Sequence, residues 1–122
     1  MPTLARPDCS PEFSARFQEL HRELMPGYRG HCVLVAQKAG SLLLDCGLPS
    51  SRLRITPSEG TQLVPKLAPN LSWHQHIVCA RYTPGVGIKV YDPLLPEPVE
   101  LSNYLSDTFE TPANFELLEM PG

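Results

Sequence analysis

The sequence predicts an α+β fold, with an N-terminal helix packed on an antiparallel sheet. Two observations carry this. One amphipathic helical segment near the start is followed by β-rich apolar runs separated by turn residues. The chain also holds 14 Pro and 8 Gly in 122 residues, which breaks it into short elements and excludes a bundle of long helices. At this length, with 42% apolar residues, one real core can form. Lys+Arg total 10 against Asp+Glu 13, a net charge of −3. Binding to nucleic acid or to an anionic membrane through bulk charge is therefore not expected.

Residues 1–8 carry two prolines and no periodicity, and read as a flexible arm ahead of a single α+β domain at 9–122. Ser10-Pro11-Glu12 has the form of a helix start: a capping hydroxyl, proline at the first helical position, and a carboxylate at the positive end of the dipole. Phe13, Phe17, Leu20 and Leu24 then share one face of a helix of roughly four turns, closed by Pro26-Gly27. Cys32–Ala36 and Leu42–Leu44 are continuous apolar runs and read as two strands of a hairpin around Gln37–Ser41. The proline-bearing stretch 47–72 offers only a short strand near Gln62-Leu63-Val64. A second hairpin joins Trp73–Tyr82 to Val86–Tyr91 through Thr83-Pro84-Gly85. Pro93, Pro96 and Pro98 enforce an extended segment, Leu101–Phe109 has the period of a short helix, and Phe115–Leu118 reads as a closing strand.

The four cysteines, Cys9, Cys32, Cys46 and Cys79, contain no Cys-x-x-Cys spacing, and the N-terminus has no apolar core that would make a signal peptide. The expectation is a cytoplasmic protein, with a nuclear location also compatible, carrying reduced thiols and no membrane span.

The hairpin places a base beside a carboxylate. With Thr83-Pro84-Gly85 as the loop, Tyr82 faces Val86, Ala80 faces Ile88, Val78 faces Val90 and His76 faces Asp92, their Cβ atoms about 5 Å apart. A carboxylate beside an imidazole fixes its tautomer and stabilises the imidazolium, which is half of a nucleophile–base–orienter triad. A surface or core polar pair is the bland alternative. Cys9 immediately precedes the first helix, where unpaired N–H groups favour a thiolate. Cys32 and Cys46 lie in or beside the expected strands, and Cys79 falls on the face opposite His76, so core packing is expected of them. His74-x-His76-x-x-Cys79 splits its ligands between two strand faces, which argues against a zinc site. No metal and no cofactor are expected. Arg52, Arg54 and Lys66 are too dispersed for a nucleic-acid patch.

Cys9 before an amphipathic helix, Trp73-x-x-His76-Ile77-Val78, and Tyr91-Asp92 followed by Leu95-Pro96-x-Pro98 and a Tyr104-bearing helix resemble the protein N-terminal glutamine amidohydrolases. That resemblance implies a papain/transglutaminase-like core and a Cys-His-Asp triad of Cys9 as nucleophile, His76 as general base and Asp92 as its orienter. Trp73 and Tyr91 would be substrate-binding residues. It also implies deamidation of glutamine side chains, on N-terminal glutamine of proteins or peptides, through a thioester. The rival readings are a cysteine peptidase and a small non-catalytic interaction module docking through Pro93–Pro98.

Overall fold

The computed structural model of the chain describes residues 11–25, 28 and 31–119. The elements run α1 (Pro11–Leu24), α2 (Cys32–Leu44), β1 (Ser51–Pro57), β2 (His76–Thr83), β3 (Gly87–Tyr91), β4 (Val99–Glu100), α3 (Leu101–Thr108) and β5 (Ala113–Glu119). The fold is α+β. The strands form one open sheet in the order β4-β3-β2-β1-β5, and every neighbouring pair is antiparallel.

Helix α1 forms where the spacing predicts, and buries Phe13, Phe17 and Leu24. The expected arm at 1–8, the capping Ser10 and the closing Pro26-Gly27 lie outside the described residues. The expected hairpin at 32–44 is instead the single helix α2. A short apolar run does not by itself separate a buried strand from a buried helix. Here Val35, Ala36, Ala39 and Leu43 recur at helical spacing and are the residues that go inside. Small residues bring this helix close to β2: a side chain at Gly40 would meet Ser50 Oγ at 3.2 Å and Cys79 Sγ at 3.9 Å. That close approach brings the start of α2 to the end of the sheet where β2 begins.

Strand β1 lies inside the stretch read as mostly irregular. Its pattern is a regular alternation: Ser51, Leu53 and Ile55 are buried while Arg52, Arg54 and Thr56 are partly exposed. Leu63 near the expected short strand makes only an isolated bridge to Trp73. The β2–β3 hairpin is present, but its register differs by two residues from the expected one. Thr83 pairs with Gly87, Tyr82 with Ile88 and Ala80 with Val90, so the loop is Pro84-Gly85-Val86. Gly85 takes a left-handed φ of 80° there, as a favoured hairpin loop requires. A slip of two keeps every side chain on its expected face, because strand side chains alternate with period two. After β3 the prolines do not hold an extended segment. Residues 93–98 run through turns and bends before two residues of β4. The short helix and closing strand appear as α3 and β5.

Both faces of the sheet are covered over its central strands, while the edge strand β5 exposes Phe115, Leu117 and Leu118. Leu53, Ile55, Val78, Ala80 and Val90 pack with Leu101, Tyr104 and Phe109 on the α3 side. Ile77, Cys79 and Tyr91 pack with Phe13 and Phe17 of α1 and with Ala36, Ala39 and Leu43 of α2 on the other. Cys32 and Cys79 are free thiols, whereas Cys46 is disulfide-bonded, which corrects the expectation of four reduced cysteines. Among the described residues no helix is long and apolar enough to cross a membrane.

Candidate active site

His76 opens β2 and Asp92 directly follows β3, so an antiparallel hairpin brings both to the same end of the sheet. The observed register makes them diagonal rather than directly opposed, and the side chains still meet: His76 Nε2 lies 3.0 Å from Asp92 Oδ2. Both are buried, with 1% and 3% of their surfaces exposed. The carboxylate accepts two further hydrogen bonds. Tyr104 Oη donates to Oδ2 at 2.7 Å, and the Leu94 backbone N–H donates to Oδ1 at 3.1 Å. Tyr104 comes from α3, so the helix that follows the proline segment holds the carboxylate in place. From α1, His21 Nδ1 lies 2.8 Å from the Pro93 carbonyl oxygen and ties down the chain just after Asp92.

The third member comes from α2. Cys32, its first residue, places its thiol near enough to His76 for each to shift the other's titration. Cys32 is half-buried rather than sealed in the core. It also stands in the first helical turn, where N–H groups have no intrahelical acceptor and the dipole favours an anion. The preceding His31 sits at the cap position with extended backbone and makes no side-chain cap.

Every titratable group here is shifted in the direction a thiolate–imidazolium pair needs. The His76 hydrogen bond lowers the Cys32 thiol below its ordinary value against the opposing effect of burial, helped by the Ile77 and Val33 N–H groups. Burial alone would lower His76. The Asp92 charge and hydrogen bond, with those of Cys32, outweigh it and lift the imidazole to about 9. Burial likewise works to raise Asp92, but the His76 charge and the hydrogen bonds from His76, Tyr104 and Leu94 hold it low. Cys79 contrasts with Cys32: burial pushes its thiol up to about 11.

Aromatic rings enclose the imidazole. Trp73 stacks flat on His76, centroids 4.6 Å apart and planes 9° from parallel. Tyr28 and Phe109 meet it edge-on at 5.6 and 6.2 Å. Tyr28 is the one non-glycine residue at positive φ among the described residues, at 48°. A bulky residue in that conformation costs about 1–3 kcal/mol, a strain found most often at functional sites. A cleft of about 690 Å³ between α1 and α2 begins at His31 and continues past Leu34 and Lys38.

The structure therefore brings together two of the three residues assigned from sequence, His76 and Asp92, and adds Cys32. Cys9 lies outside the described residues. Trp73 is at the site, against the imidazole. Tyr91 is not: it is fully buried on the opposite face of the sheet and packs edge-on against Phe13 at 5.9 Å. His74 points to the Gln62 side chain at 3.5 Å. Among the described residues no group of His, Cys, Asp or Glu is arranged to hold a metal ion. Sequence reasoning missed Cys32 because it placed that residue in a strand. Read as the first residue of a helix, it has the same argument that favoured Cys9. Tyr104 and Tyr28 carried no sequence signal beyond their residue type.

In comparisons with protein-family models, curated proteins and solved structures, nothing matches the chain.

Proposed function

We propose that the chain is a cysteine-dependent amidohydrolase on a papain/transglutaminase-like core, with Cys32 as nucleophile, His76 as general base and acid, and Asp92 as the orienting carboxylate. The observation that carries this reading is the buried His76–Asp92 Oδ2 pair at 3.0 Å with the Cys32 thiol, at a helix N-terminus, near enough to His76 to be lowered by it. Nucleophile, base and orienter in mutual contact are the signature of covalent acyl transfer.

The thiolate attacks a carboxamide carbon, and the carbonyl π electrons move onto oxygen. The tetrahedral species collapses, the carbon–nitrogen bond breaks, and the His76 imidazolium gives its proton to the departing ammonia. The neutral imidazole then takes a proton from water, which attacks the thioester and regenerates the thiol. Asp92 stays ionised throughout and holds the ring. Glutamine side chains are the proposed substrate. The support is the resemblance to N-terminal glutamine amidohydrolases in Trp73-x-x-His76 and Tyr91-Asp92, the segments that supply the histidine and aspartate of this site.

The test is ammonia release from glutamine-bearing peptides, together with the mass change from amide to acid. Cys32→Ser should abolish both, and Cys9→Ser should leave them. Activity that survives Cys32→Ser but not Cys9→Ser would return the nucleophile to Cys9. Cleavage of the peptide backbone would identify a peptidase. Neither reaction, with no labelling of Cys32 by thiol reagents, would leave the interaction-module reading.

A further inference from the structure

We propose that the Tyr28 hydroxyl is a catalytic hydrogen-bond donor to the oxyanion formed when Cys32 attacks its substrate, acting with the Cys32 backbone N–H; this rests on the thiol amidohydrolase reading above. The ring of Tyr28 is 7% exposed and lies against both Trp73, at 5.2 Å between centroids, and His76, at 5.6 Å. Its hydroxyl is buried and has no hydrogen-bond partner among the described residues. Buried hydroxyls nearly always have a partner, so an orphan beside a reactive pair is best explained by a ligand atom that supplies the acceptor.

The character of the missing acceptor follows from the charges nearby. Burial first, and then the negative charges of Asp92 and Cys32, push the phenol well above its ordinary value. Tyr28 therefore keeps its proton at any working pH and can only stabilise negative charge by donating. The charge that appears during the reaction is on the former carbonyl oxygen, one bond from the carbon that Cys32 attacks. As the sulfur–carbon bond forms and the carbonyl π bond opens, the O–H of Tyr28 donates to that oxygen without giving up its proton. The Cys32 N–H, in the first turn of α2, supplies the other donor, as two such groups are needed for a full oxyanion site. The left-handed backbone at Tyr28 is consistent with a side chain held where the reaction, rather than the local chain, requires it.

Two reagents separate this role from packing. An acyl ester such as p-nitrophenyl acetate acylates Cys32 through an oxyanion, whereas iodoacetamide alkylates the same sulfur by displacement and forms none. Tyr28→Phe keeps both ring contacts and removes only the hydroxyl. It should slow acylation about 10²–10³-fold and leave alkylation within about twofold of the parent. With a glutaminyl peptide, kcat should fall with KM little changed. Acylation within about threefold of the parent overturns the proposal. So does an equal fall in both rates, which would mean that the hydroxyl acts on thiolate formation or on folding. If Cys32 of the unaltered chain reacts with neither reagent faster than a free thiol, the amidohydrolase reading itself fails, and this role falls with it.

Discussion

The Tyr104 hydroxyl donates to Asp92 Oδ2 at 2.7 Å, onto the same oxygen that meets His76 Nε2. A single carboxylate atom therefore joins α3 to the hairpin that holds His76. Tyr104→Phe removes one hydrogen bond to a buried charge and should lower stability by about 1.5–3 kcal/mol in urea unfolding. Asp92 loses a donor that favours its ionised form, so acid unfolding should begin at a higher pH than in the parent. An unchanged acid transition would show that this bond does little for the carboxylate.

Asp92→Asn keeps the shape and removes the charge that lifts His76. Burial, the opposing influence, then prevails, and the imidazole should titrate well below 9. The alkaline limb of the turnover profile should move to lower pH, and turnover should fall by about 10²–10⁴-fold. Labelling of Cys32 by iodoacetamide at pH 6 should also slow, because the imidazolium that stabilises the thiolate is lost. Retention of the parent profile would place the source of the shift elsewhere.

The buried pair has a signature in stability against pH. The folded value of His76 is raised, so its contribution is complete below the unfolded value of about 6.5 and is lost as pH climbs through about 9. The folded value of Asp92 is depressed, so its contribution is complete above the unfolded value of about 3.9 and is lost as pH falls through the folded one. The parent should thus gain most over His76→Gln between about pH 4 and 6.5, and the difference in Tm should shrink toward pH 9. A constant difference across that window would rule out the coupling.

The flat stack of Trp73 on His76 favours the charged imidazole through the ring's electrostatics. Trp73→Leu should lower the His76 pKa by about 0.5–1 unit, followed by NMR titration of the ring protons. No change would assign Trp73 to packing alone.

The sequence showed the His76–Asp92 pair because hairpin parity is robust. The register slipped by two residues, yet His76 and Asp92 stayed on one face and remained within reach. The place of Cys32 beside His76 was hidden by α2, whose Cys32–Ala36 run is as apolar as a buried strand and whose Gly40 looks like a turn residue. Only packing against Ser50 and Cys79 gives that glycine its reason within a helix. Strand β1 was legible in the alternation of Arg52, Leu53, Arg54 and Ile55, but the surrounding prolines drew the reading toward loop. The long-range bonds from Tyr104 and His21 have no local sequence signature, because their partners lie in separate elements.

Cys32 belongs to a helix and His76 to a strand, and only the seating of α2 on the sheet through Ala36, Ala39 and Gly40 brings them into contact. The thiol of the unfolded or half-assembled chain is consequently an ordinary one. The lowering of the thiol by His76 exists only once α2 has seated on the sheet, so a newly made chain lacks it until the two layers have closed. The rate at which Cys32 becomes labelled during refolding is then a direct clock for that closure.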